Sequence, residues 1–127
     1  MHILPLYAAL LGILFFYLSV RTIGLRRKLQ IGIGANDNPE MLRAQRVHAN
    51  FAEYAPLVLL LIALAELQAA PALLVHALGL CLLMGRVLHA HGVSQTKEQF
   101  AFRITGMAMT FTALLASSAR LVYKALV

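Results

Sequence analysis

The chain has 127 residues, 61% hydrophobic and only 13% charged, with a formal net charge of +6, whereas soluble domains run near 45–50% apolar and about 25% charged. A soluble monomer of this length could not bury so much apolar surface. The positive charge does not indicate nucleic acid, because no basic stretch is interleaved with aromatics on a soluble face, so a single membrane domain over residues 1–127 is expected.

Four apolar segments follow in order: Ile3 to Val20, Ala55 to Ala65, Ala72 to Met84 and Ile104 to Ala119. Two approach the roughly 17–25 residues that cross a bilayer, and two reach that length only with their flanks. The pattern predicts an all-α integral membrane four-helix bundle, with helices over about residues 3–26, 39–67, 71–91 and 100–124. Helix one starts near Pro5, which a first turn accepts. It is read as a retained span and not a cleavable signal peptide, since Met1 and His2 give no basic leader and the exit through Ser19, Val20 and Arg21 lacks a small-residue cleavage site.

The next connection carries strong breakers: Gly32 and Gly34, then Asn36, Asp37, Asn38 and Pro39. Asn38 is placed as an N-cap, with Pro39 at the first helical position and Glu40 in the first turn. Helix two then runs to Leu67, longer than one bilayer thickness, so its first turns project into the cytoplasm or the headgroup zone. Pro56 removes a backbone donor in its middle; it either bends the axis beside Asn50 and Glu53 or is simply tolerated. Ala69 to Pro71 make an outer turn, helix three ends near His91, and the polar residues from Gly92 to Gln99 form an inner loop. Cys81, the single cysteine, lies in an apolar segment and is read as a buried structural thiol.

Nine of the eleven basic residues flank two of the three connections. Arg21, Arg26, Arg27, Lys28, Arg43 and Arg46 border the first, and Arg86, Lys97 and Arg103 the third, leaving Arg120 and Lys124 at the C-terminal end. The positive-inside rule makes both connections cytoplasmic and puts both termini outside. Arg27 and Lys28 then meet anionic lipid headgroups.

Helix two concentrates polar chemistry where the apolar run begins. At about 100° per residue, Arg43, Arg46, Asn50, Glu53, Tyr54 and Leu57 share an arc of roughly 100°, with His48 pointing nearly the other way. Unpaired charge at that depth costs several kcal/mol, about 3 per residue on insertion scales, so this face must look at another helix, a subunit or a hydrated cavity. Guanidinium forks bind carboxylates bidentately, and asparagine offers a donor and an acceptor, so the face suits a ligand with carboxylates and amides. A salt-bridge network fixing an oligomer, with Arg46 and Glu53 paired across subunits, accounts for the same pattern, and composition leaves both open. No metal site is expected, because His89 and His91 are two apart on a helix and diverge, with no acidic or thiol ligand at zinc spacing. Ser117 and Ser118 lie too far in depth from the cytoplasmic histidines for a catalytic triad. A small proton-coupled exporter using Glu53 is disfavoured, since helix one carries no acidic residue.

The run from Arg46 through Asn50, Glu53 and Tyr54 to Pro56 resembles the signature of the MAPEG family, membrane-associated proteins in eicosanoid and glutathione metabolism. The basic exit of helix one (Gly24, Arg26, Arg27, Lys28), Gly85, Arg86 and His89 in helix three, Arg103 at the start of helix four, and the overall length extend the likeness over nearly the whole chain. It is closest to short bacterial members, which implies an inner-membrane location. The resemblance implies a homotrimer of four-helix subunits, with sites between neighbouring protomers that open toward the cytoplasm. It also implies glutathione as co-substrate, held by Arg46, Asn50, Glu53 and Tyr54, with Arg26, Arg86 and His89 as further carry-overs.

In active members the glutathione thiolate attacks or reduces a lipophilic electrophile, stabilised by an arginine near the inner end of helix four; Arg103 takes that role here. A nearby cation favours a charged thiol. Two positions depart from relatives: Met107 stands where some members carry a deeper catalytic arginine, and Val93 where some eukaryotic members carry a tyrosine. The function implied is a glutathione-dependent transferase or peroxidase; a non-catalytic membrane binding or scaffolding protein is the alternative.

Overall fold

The computed structural model describes residues 2–127 and is all-helical among them. The elements are α1 (Leu4–Leu29), α2 (Pro39–Leu67), α3 (Ala72–Ser94) and α4 (Phe100–Leu126). The leading N–H groups of a helix have no carbonyl partner within it. For α1 that need is met by Glu66 at the far end of α2, whose Oε1 accepts from the backbone N–H of His2 and Ile3 and whose Oε2 accepts from Leu4 at 3.0 Å. At the other end Gln30 turns left-handed, with φ 55°, and returns its N–H to the carbonyls of Arg26 and Arg27. Arg26, Arg27 and Lys28 in the last turn complement the negative end of the helix dipole.

Asn38 caps α2 as its sequence context predicts, its Oδ1 accepting from the Met41 N–H at 2.9 Å, with Pro39 and Glu40 following. The helix runs unbroken past Pro56 to Leu67, although proline leaves the Ala52 carbonyl without its usual donor. Both α1 and α3 run longer than expected, to Leu29 and Ser94. In α3 the extra turn keeps Val93 and Ser94 on a rigid element.

Inside the bundle, Leu4, Leu11 and Leu18 of α1, Val58 and Ile62 of α2, Val75 and Leu82 of α3 and Ala113 of α4 belong to one buried core cluster. A smaller cluster of Leu25, Ile31, Met41 and Ala44 sits under the first connection. The outer surface is equally apolar: Ile13, Phe16, Leu57, Leu73, Ile104 and Leu115 are all exposed. Water does not tolerate an apolar surface of that extent on a monomer, whereas lipid does. All four helices are long and apolar enough to cross a membrane.

The tightest pairing joins α3 and α4. A Cβ added at Gly106 would lie 2.5 Å from the His89 nitrogen and 2.6 Å from the Gly85 carbonyl oxygen, and one at Gly92 would lie 2.7 Å from the Arg103 nitrogen. Small residues of this kind let membrane helices touch through their backbones. The contact sets the position of Arg86, His89 and Arg103 relative to one another.

Candidate ligand cavity at the basic end of the bundle

A cavity of about 320 Å³ opens where the two basic connections meet. From α2 it takes Arg43, Arg46 and Asn50, which recur at three and four residues and so share one face. Val93 and His89 close it from α3, Glu98 from the α3–α4 connection and Arg103 from α4. Leu42 and Val93 give it apolar walls beside the cations. Its size is within the range of small-molecule sites, and its few convergent polar groups on an apolar lining are typical of them.

The floor is organised by Arg86, which is 1% exposed. Its Nη1 donates to Asn50 Oδ1 at 2.6 Å, and its Nε and Nη2 donate to Thr110 Oγ1 at 3.0 and 2.6 Å. Nη2 also reaches Met107 Sδ at 3.3 Å, and the guanidinium stands 5.9 Å from the Tyr54 ring centroid. A buried cation needs its donors satisfied, and here two neighbouring helices, α2 and α4, supply the acceptors. Arg86 therefore holds the Asn50 carbonyl oxygen, turning the other end of that amide away from itself.

The residues singled out from the sequence separate into groups. Arg46, Asn50, His89 and Arg103 line the cavity together. Arg86 lies beneath it and acts through Asn50. Tyr54 is half-buried against Phe111, ring centroids 5.5 Å apart, and next to Arg86. Glu53 points outward from α2 and is exposed, with no hydrogen bond or ion pair among the described residues. Arg26 stands apart: its Nη1 donates to the carbonyls of Ile31, Gly32 and Gly34 at 3.1 to 3.4 Å, tying down the first connection. His48, on the opposite face, meets Ser19 Oγ at 3.0 Å and stacks on Phe15.

Glu98 and Thr110 carried no site signal in the sequence, and Arg43 carried one only as a member of the polar face. Arg43 belongs to the polar arc and its Nη1 donates to the Val93 carbonyl at 3.2 Å; its position three residues before Arg46 was the available signal. Glu98 lies 2.8 Å from Arg103 Nη1 and 3.8 Å from Arg43 Nη1, and nothing in its loop context points to that. Thr110 would have been found only by placing α4 against α3.

Four spanning-length helices with an arginine-lined cavity at one end describe a multi-pass membrane protein. The chain belongs to the MAPEG family, whose family model matches residues 4–123. Inner membrane protein YecN of Escherichia coli strain K12 is 34% identical over 110 residues, covering 87% of this chain and 82% of that protein. The YecN protein of E. coli O6:H1 strain CFT073 is similar to the same extent. This kinship and the four apolar helices support a multi-pass protein of the bacterial inner membrane.

Proposed function

We propose that the chain is an integral membrane glutathione-dependent transferase or peroxidase acting on lipophilic electrophiles. The observation that carries this reading is the convergence of Arg43, Arg46, Asn50, His89 and Arg103 on one cavity in a chain of the MAPEG family. Glutathione brings two carboxylates, an amine, amides and a thiol; guanidinium groups match the first, and the Asn50 amide the peptide groups. Arg103, with its side chain 48% exposed, lines the cavity from the first turn of α4. Beside it a bound thiol ionises more readily. The thiolate then attacks an electrophilic carbon with loss of a leaving group. With a hydroperoxide it takes the distal oxygen, releasing the alcohol after protonation, and a second glutathione thiol attacks the sulfenic sulfur, forming the disulfide with loss of water.

The topology proposed with it puts the cavity on the cytoplasmic side and both termini outside, from the distribution of basic residues. A homotrimer is part of the reading: Arg46 and Glu53 are exposed on one face of α2, where a neighbouring protomer would complete the site. Titration calorimetry on detergent-purified protein should detect glutathione binding. Arg46→Ala should weaken it by on the order of tenfold or more, the loss expected for a charged hydrogen bond, and abolish conjugation to an aryl halide. Absence of binding by the unmodified protein rejects the proposal.

A non-catalytic binding protein is the second reading, favoured by the pairing of Arg103 with Glu98 and by Met107 in place of a deeper arginine. It predicts stabilisation by glutathione without turnover. Turnover that depends on Arg103 excludes it.

A further inference from the structure

Ion pairing among the described residues is confined to one carboxylate. Glu98 stands 2.8 Å from Arg103 Nη1 and 3.8 Å from Arg43 Nη1, with its own side chain only 15% exposed. Glu66 is committed to the start of α1, and Glu53 faces outward. Glu98 is also the one acidic group among the described lining residues, facing three arginines across the cavity.

We propose that Glu98 is an internal competitor for the carboxylate position between Arg43 and Arg103, so that an anionic ligand enters by exchanging its carboxylate for that of Glu98. The inference rests on the reading of the cavity as a site for an anionic thiol peptide and adds how that site selects its ligand. Two carboxylates cannot share the position, because like charges brought together there repel and compete for the same N–H donors. The backbone beneath Glu98 is fixed: the Gln99 N–H donates to the Gly92 carbonyl at 3.2 Å and the Arg103 N–H to the Gln99 carbonyl at 3.2 Å. Exchange therefore needs only rotation of the Glu98 side chain, with α3 and α4 in place.

Selectivity follows from the exchange. A neutral thiol offers nothing to replace Glu98, so the pair with Arg103 keeps it out of the position. A thiol carrying a carboxylate replaces Glu98 between Arg43 and Arg103 and is held in the cavity. The exchange thus admits the class of ligand that carries a carboxylate.

The test compares the whole protein with Glu98→Gln, which keeps the shape and removes the charge, and Glu98→Asp, which keeps the charge. Two probes are titrated at low ionic strength: glutathione, and citrate, a polycarboxylate without a thiol. Glu98→Gln should bind glutathione on the order of fivefold more tightly, within the range of a half-exposed ion pair, with the difference shrinking at high salt. Glu98→Asp should stay within about twofold of the parent. If neither protein binds glutathione but citrate binds Glu98→Gln more tightly, the competitor role stands and the glutathione reading falls. Weaker or unchanged binding of both probes by Glu98→Gln overturns the proposal, since a merely structural ion pair would give that result together with a lower unfolding midpoint. Failure of both probes to bind either protein overturns it as well.

Discussion

Arg86 shows how one buried side chain can shape a site it does not line. Each of its three nitrogens is engaged: Nη1 with Asn50, Nε and Nη2 with Thr110, and Nη2 also with Met107. Thr110 in turn donates to the Gly106 carbonyl at 2.8 Å, so the hydroxyl links the cation to the backbone of α4. Replacing it with valine keeps the volume and removes the acceptor, leaving two N–H groups of a charged residue unmatched. Thr110→Val should destabilise by about 1–3 kcal/mol in reversible unfolding in detergent and weaken glutathione binding through a misplaced Asn50, whereas Thr110→Ser should restore both. Equal stability of the valine and serine variants would show that the hydroxyl is not what anchors Arg86. That Arg46 and Asn50 line one cavity was legible because they recur at helical spacing on one face of α2, and Arg103 was legible through the family resemblance. Arg86 was legible as a member of the constellation but not as its buried support, because its partner is 24 residues away on another helix.

At the scale of elements, the pairing of α3 with α4 decides whether the cavity has a second wall. Gly106 lies against backbone atoms of His89 and Gly85, and backbone cannot rotate aside as a flexible side chain can. Gly106→Ala should therefore force the helices apart, cost about 1–3 kcal/mol as an overpacking change, and loosen glutathione binding through His89 and Arg103. Gly12→Ala is the control, since a Cβ there meets nothing within 4 Å; it should be neutral or stabilising by up to about 1 kcal/mol from helix propensity. Unfolding midpoints for the two variants check the contrast. The start of α2 was legible because Asn38, Pro39 and Glu40 act locally. The α3–α4 contact was not, because hydropathy marks which residues are apolar and does not mark which glycines meet another backbone. Glu66 was equally silent: its partners at the start of α1 are more than sixty residues away.

The whole molecule is apolar outside as well as inside, and one exception on that outer surface bears on assembly. Glu53 projects from α2 within a spanning-length helix, exposed and without a partner among the described residues. Exposed to acyl chains, an ionised carboxylate would cost about 2.5–3.5 kcal/mol on insertion scales, and Arg46, also exposed two turns away, would add to that. The homotrimer proposed above would remove the cost by setting each α2 face against a neighbour in a closed ring. Three chains per particle are expected in native mass spectrometry of the detergent-purified protein. Glu53→Arg, which sets like charges beside Arg46 on that face, should shift the population toward single chains, while Leu115→Arg tests whether any charge on the outer surface does the same. A single-chain particle for the unmodified protein would mean that Glu53 is met by lipid headgroups or water, and the cavity would then have to hold its ligand with the residues of one chain alone.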